Sequence, residues 1–386
     1  MAGAGDFLLP KAEIRMMTPE QQQVWDLREK GMSFPDIGDL LGVTAMTAKK
    51  RYYRAQKWAD ADPAILESMA AVGTNMIPTL AWAKTKSEDG TSYSVLLKPA
   101  EQSVDDFMER LRGAFEGMTP AEPIEPPETV MSDLLTVYPL MDVHFGMLAW
   151  GKETGEVDYD IGLATSDMRH AFHKVLNLSP AANKAVLLVG GDFFHADDNR
   201  AETPQSKHKL DVDGRQFKVL DCGVALIAEI TERLLQKHQS VTLRVLRGNH
   251  DEHAHMVLTF ALFERYRNEP RVEVEKTPRD IFMTQWGKCL ISAHHGDRAK
   301  PDRLTMYLSD VCPFWSETRH RYMFTGHVHH DASKDLGPLK WESLRAFCPP
   351  DAYAAGMGYA SRRALQAITF HKQDGLVLRA MDPIDR

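Results

Sequence analysis

The 386-residue chain lacks several things that would narrow its class at once. It has no run of 18 apolar residues, so no segment reads as a membrane-spanning helix. Its first residues, MAGAGDFLLPKAEIRMM, carry acids at Asp6 and Glu13 and lack the apolar stretch of a secretory signal. Only four cysteines are present (Cys222, Cys289, Cys312 and Cys348), irregularly spaced and without a CxxC pair. A disulfide scaffold is therefore not expected, and reduced, buried thiols in a cytoplasmic protein are. There is no excess of positive charge. The net charge of −8 argues against coating nucleic acid along the whole length, though it leaves room for one basic element. The 43% hydrophobic and 26% charged content is that of a globular chain with a real core.

Segment 119–133, TPAEPIEPPETVMSD, has four prolines and four acids and reads as an extended linker. Upstream, residues 1–60 suggest three short helices: one from Thr18-Pro19 to Gly31, one capped by Ser33 and ended at Gly42, one capped by Thr44. Residues 61–118 suggest a small α+β unit, with helices over 64–72 and 103–117 and a hairpin turning at Glu88-Asp89-Gly90. From 134 to 386, short apolar runs alternate with helical patterns. One such pattern, over 215–238, repeats Phe217, Leu220, Val224, Ile227 and Leu234 at helical spacing. The fold class is α/β, with more strand than a simple doubly wound sheet.

Five of these apolar runs end in residues that bind metals. They end in Asp142-Val-His144, Gly191-Asp192-Phe-Phe-His195, Gly248-Asn249-His250-Asp251, His294-His295-Gly296-Asp297 and Gly326-His327-Val-His329. Strand C-termini are where α/β sheets carry their sites. On a strand, Asp142 and His144 would share a face, as would His327 and His329. Seven or eight nitrogen and oxygen donors with no thiolate suit two divalent cations of the Mn, Fe or Zn kind.

These blocks, D-x-H, G-D, G-N-H-D, H-G and G-H-x-H in order, resemble the calcineurin-like metallophosphoesterase superfamily over residues 134–386. GDFFHADDN with DVDGR, behind a DNA-binding-like module, resembles phage-encoded, exonuclease-like members. The resemblance implies a β-sandwich flanked by helices, α/β/β/α. It implies one metal on Asp142, His144, Asp192 and His329, and a second on Asp192, Asn249, His295 and His327. Manganese is the leading choice of metal. A hydroxide between the metals would attack phosphorus in line. His250 would be the general acid, oriented by Asp251. The H-G dipeptide selects His295 over His294. His195, Asn199 and Arg200, with Arg247, are candidates for substrate or supporting contacts. His253, His255 and His330 match no ligand position.

The segment around Ile37, Leu41, Gly42, Val43 and Ala48 resembles the helix-turn-helix of resolvase and sigma-like regulators. Its third helix carries Lys49, Lys50, Arg51, Arg54 and Lys57 and no acid, as a DNA-binding helix would. The leading expectation is a two-metal DNA nuclease in host cytoplasm. The alternatives are a phosphatase or small-molecule phosphodiesterase with regulatory N-terminal units, and a DNA-binding regulator whose metal domain is structural. The complete donor set speaks against the last. Oligomeric state is not legible.

Overall fold

The structure, a computed structural model, describes residues 19–59, 81–86, 92–97, 120–360 and 362–384. The chain divides into two compact units, Met1–Phe107 and Met108–Arg386. The helices expected over 64–72 and 103–117, the turn at 88–90 and the Thr18 cap lie outside the described residues.

In the first unit, α1 (Pro19–Glu29), α2 (Phe34–Leu41) and α3 (Ala45–Ala59) close on a small core of Val24, Ile37 and Ala48. Ser33 caps α2 by accepting from the Asp36 N–H, and Gly42 ends it in the left-handed region at φ 67°. Thr44 caps α3 by accepting from the Thr47 N–H at 3.1 Å. Ala48 fills little of the core. Aromatic packing beside it adds bulk, with Trp25 stacked on Tyr52 at 5.1 Å and Arg28 over the Phe34 ring. Strands β1 (Ala81–Lys86) and β2 (Ser92–Leu97) pair antiparallel, Ala81 opposite Leu97.

The second unit has four layers. A six-stranded sheet runs β13-β12-β3-β4-β5-β6, and a five-stranded sheet runs β10-β11-β9-β8-β7. The first contains β3 (Met131–Leu140), β4 (Ala182–Val189), β5 (Ser240–Val245), β6 (Val272–Val274), β12 (Ala364–His371) and β13 (Gly375–Pro383). The second contains β7 (Ile281–Trp286), β8 (Cys289–His294), β9 (His320–Thr325), β10 (Ala332–Asp335) and β11 (Lys340–Ser343). Strands β3 to β6 are mutually parallel, as are β8, β9 and β11. Alternation along β4 sorts the layers. Ala185, Leu187 and Val189 face the helices, while Val186 and Leu188 face the second sheet with Ile291, Phe324 and Phe370.

After a single turn, α4 (Gly151–Thr154), three long helices cover the six-stranded sheet: α5 (Ile161–Leu178), α6 (Gln216–Lys237) and α7 (Ala254–Arg265). Helix α8 (Pro301–Val311) covers the other sheet through Leu304 and Leu308. A five-residue helix, α9 (Ala352–Gly356), follows β11. This is the expected α/β/β/α arrangement. The face of α6 differs from the expectation. Ile227 and Leu234 are buried and Leu220 and Val224 pack against the core as expected, but Phe217 is 83% exposed, and the buried face also takes in Val219, Leu226 and Ile230.

The segment expected as an extended linker over 119–133 is corrected in part. Residues 131–133 already belong to β3, and Ala121 and Ile124 lie against the helix-side core of the second unit. The Ala121 N–H donates to the Arg265 carbonyl, and Ala121 and Ile124 pack on the helix-side core. Arg271 fastens this strap. It donates to the carbonyls of Ile124 (2.7 Å), Leu235 (2.5 Å), His238 (2.8 Å) and Gln239 (3.0 Å), tying the strap to the end of α6. Hydrogen bonds from a charged donor are worth about 1.5–3 kcal/mol each, and their sums fall short of additive. Arg271→Ala should therefore lower stability by about 2–4 kcal/mol in urea unfolding and expose 120–130 to proteolysis. A change under ~0.5 kcal/mol with an uncut segment would show that the strap is not held this way.

Candidate metal centre

The donors expected from the five runs meet at one place, where the C-terminal ends of β3, β4 and β5 approach those of β8 and β9. They are not on the strands. β3 ends at Leu140 and β9 at Thr325, so Asp142, His144, His327 and His329 sit on the loops beyond. Strand alternation is therefore not what aims them. Asp142, His144, Asp192, His327 and His329 are all in the left-handed region, with φ between 48° and 68°. Each such non-glycine residue costs of order 1–3 kcal/mol, and such strain concentrates where a site fixes it.

Asp192 is central. With Asp142 and His144 it forms one group of donor atoms lying within 4.8 Å of one another, and with His295 and His327 it forms another. Its Oδ2 lies 3.2 Å from His295 Nε2 and 3.9 Å from His144 Nε2. Asn249 Oδ1 joins the second group, 3.1 Å from His295 Nε2. His329 joins the first, its Nε2 3.5 Å from Asp142 Oδ1 and 3.3 Å from His144 Nε2. Asp142 and Asp192 are essentially without solvent exposure. Backbone donors hold them: the His327 N–H reaches both Asp142 oxygens at 2.9 and 3.0 Å, and the His250 N–H reaches Asp192 Oδ1 at 2.8 Å. Glycine is required beside both. A Cβ on Gly248 would overlap Asp192 Oδ1, and one on Gly326 would overlap Asp142 Oδ2.

The ligand rings are set by their outer nitrogens. The His295 Nδ1–H donates to the Gly190 carbonyl at 3.2 Å, turning Nε2 to Asp192. His144 Nδ1 meets His195 Nδ1 at 3.0 Å, which leaves His144 Nε2 to face the centre. His294 stays outside, accepting from the Gly296 N–H.

His250 and Asp251 are not partnered as expected. The His250 Nδ1–H donates to the His195 carbonyl at 2.8 Å. Asp251 is buried under the loop and accepts from the N–H groups of Phe193, Phe194 and Gly248 at 2.8–3.2 Å. It braces the Asp192 loop instead of orienting His250. The other candidates have partners of their own. Asn199 is exposed and accepts from the Gln216 N–H at the start of α6. Arg200 pairs with Asp198, and Arg247 with Asp297. His253 pairs with Asp197, and His255 donates to the Asp251 carbonyl. His330 donates to the Val328 carbonyl and lines the cleft.

The cleft over the donors measures about 670 Å³. Its lining includes Thr203, His208 and Lys209 from one segment and Pro349, Tyr353 and Tyr359 from a second, the two meeting where the His208 ring lies 5.8 Å from that of Tyr353. Sequence reasoning missed this second segment and Cys348 within it, since no motif marks residues 346–360.

Electrostatics show how the donors coexist. Burial and neighbouring imidazoles push His144 well below the usual histidine range, and burial pushes His195 down to about 3. Burial also opposes charge on His295, but the Asp192 carboxylate outweighs it and raises His295 to about 10. Asp142 likewise raises His329 well above its usual value, against burial. The buried carboxylates are thus balanced by protons on two imidazoles. The donor set fits two divalent cations: two buried carboxylates, four imidazoles and an amide oxygen, with Asp192 common to both groups.

No family model and no curated protein matches the chain. Solved structures do. A predicted phosphoesterase from Streptococcus pneumoniae is 10% identical, covering 66% of this chain and 99% of its own, at a TM-score of 0.27. An archaeal phosphodiesterase is 11% identical over 64% of this chain and 99% of its own, at 0.34. Zinc-complexed Vps29 from Entamoeba histolytica is 10% identical over 65% and 99%, at 0.26. Likenesses of this depth do not assign the chain to a family.

Cations must displace the protons on His295 and His329 to use those nitrogens. Metal binding at neutral pH should therefore release protons, and affinity should tighten as pH rises toward about 10, where His295 loses its own. Calorimetric titration with Zn²⁺ in buffers of different ionisation enthalpy measures this. Binding without proton release, or with pH-independent affinity, would contradict the protonated pairs.

Proposed function

We propose that the second unit is a two-metal phosphodiesterase of the calcineurin-like kind and that its substrate is DNA. The observation that carries the hydrolase reading is the sharing of Asp192 between two donor groups. Asp142, His144, Asp192 and His329 would hold one cation, and Asp192, Asn249, His295 and His327 the other. Bound there, such a pair would supply Lewis acidity toward a phosphoryl group and an activated water.

The chain's own residues do the rest. The Asp192 carboxylate, fixed by the His250 N–H, sets the separation of the two positions. His195, 3.0 Å from His144 Nδ1, would hold the His144 ring with Nε2 toward the cations. His250 lines the cleft with Nδ1–H committed to a carbonyl, so Nε2 is the nitrogen that would give a proton to the leaving oxygen. The cleft of about 670 Å³ has room for a nucleoside beside a phosphoryl group at the donors. That size also supports a second reading, a phosphatase or phosphodiesterase of small substrates. DNA is favoured by α3, whose Lys49 and Lys50 are exposed on a helix following a short glycine turn, in the manner of a helix-turn-helix. The side chains of Arg54 and Lys57 lie outside the described residues.

Asp192→Asn should lose bound metal and hydrolysis of bis-p-nitrophenyl phosphate together. His250→Ala should keep the metal yet lower kcat by ~10²–10⁴ on a poor leaving group, and far less on p-nitrophenolate, which needs no proton. Full metal content and activity in Asp192→Asn would sink the hydrolase reading, and equal losses on both leaving groups would remove His250 as acid.

The DNA reading stands on a separate measurement. Replacing Lys49, Lys50 and Arg51 with Gln preserves helix propensity. It should weaken duplex binding and lower the slope of log K against log salt by roughly 0.9 for each phosphate no longer neutralised. Unchanged affinity and slope, with activity confined to small esters, would favour the small-substrate reading.

A further inference from the structure

One thiol reaches the metal centre. Cys348 lies 19 residues after His329 in the chain, in the segment between β11 and β12. The donor atoms of Cys348, His144 and His329 all lie within 4.8 Å of one another. Cys348 is 5% exposed, and what it shows faces the cleft that these histidines line. Its position does not depend on side-chain chance. The Cys348 N–H donates to the Asp142 carbonyl at 3.2 Å, and the Phe347 N–H donates to the Met141 carbonyl at 3.1 Å. The backbone carrying the sulfur is thus bonded to the backbone carrying a carboxylate donor. The other three thiols have different surroundings. Cys289 donates to the His371 carbonyl, Cys222 packs among the helices, and Cys312 ends α8.

We propose that Cys348 is a further protein ligand for the cation held by Asp142, His144 and His329, so that one position has a thiolate and the other has none. This rests on the two-metal reading. Two nitrogens and a sulfur this close fall within the reach of one cation, with bonds of ~2.0–2.1 Å to nitrogen and ~2.3 Å to sulfur. On binding, the S–H bond breaks heterolytically. The proton goes to solvent, and the sulfur electron pair forms the bond to the cation. The consequence is an asymmetric centre. Asp192, Asn249, His295 and His327 offer only nitrogen and oxygen and suit Mn²⁺, whereas a thiolate position selects Zn²⁺, Fe²⁺ or Co²⁺.

The test uses the full-length chain, stripped of metal and titrated with Co²⁺, with metal content and near-ultraviolet absorption followed together. The wild type should bind about two Co²⁺ and develop a thiolate-to-cobalt charge-transfer band. Cys348→Ser should lose the band, and Cys222→Ser should keep it. Two bound Co²⁺ without a band, or a band that survives in Cys348→Ser, overturns the thiolate ligand while leaving the two-metal reading intact. A chain that binds no Co²⁺ overturns both. Should Cys348→Ser fail to fold, the wild type still decides. Cobalt should slow iodoacetamide alkylation of Cys348 at least tenfold, as mapped by peptide mass, and equal rates with and without cobalt overturn the inference.

Discussion

Two carboxylates, Asp142 and Asp192, are buried together, and much of the second unit is arranged to make that tolerable. An isolated buried carboxylate costs several kcal/mol and would protonate instead. Here each is met by one backbone N–H and by an imidazole whose pKa the carboxylate raises. Burial tends to neutralise Asp192, but His295, His250 and His144 hold its carboxyl well below the usual range. The charge is therefore kept, not lost. Cations held there would each take the place of a proton on an imidazole.

Keeping those charges adjacent dictates the backbone. Five donor positions adopt left-handed φ values that β-sheet residues avoid, and the loops carrying them pass so close that Gly248 and Gly326 admit no side chain. The two sheets supply the force that holds this. Their shared interior, from Val186 and Leu188 across to Ile291 and Phe324, fixes where each strand stops. Strain of several kcal/mol at the loops is small beside the apolar burial beneath them.

The site was legible in the sequence wherever a donor sat in a short motif. All seven donors expected as metal ligands gather at one point, because a D-x-H or G-N-H-D block records the loop that delivers it. Direction was not legible in the same way. Asp142 and His144 read as strand residues, whereas the strand stops at Leu140 and a left-handed backbone does the aiming. The partnership of His250 with Asp251 failed for a related reason. Neighbours in sequence diverge in a tight turn, and Asp251 turns under the loop to three N–H groups while His250 turns to a carbonyl. The linker was misread because composition does not show that Ile124 has a place on the helix-side core and a carbonyl within reach of Arg271. Cys348 and the wall of Tyr353 and Tyr359 belong to no motif. Their part in the cleft exists only once β11 and β12 have brought that segment across the mouth of the site.

That late segment changes how the centre should be viewed. A set of nitrogen and oxygen donors read from five motifs is nearly symmetric about Asp192 and gives no reason for two cations to differ. The structure breaks the symmetry. On the His144 side stand a second layer of imidazole from His195 and a thiol, while on the His295 side stand an amide and a backbone carbonyl. Desolvation is unequal as well, since burial pushes His144 far lower than His327. Softer, drier donors on one side and harder ones on the other favour unlike occupants. The donors read from the motifs thus stand in unlike surroundings, and the residues that make them unlike lie outside the motifs.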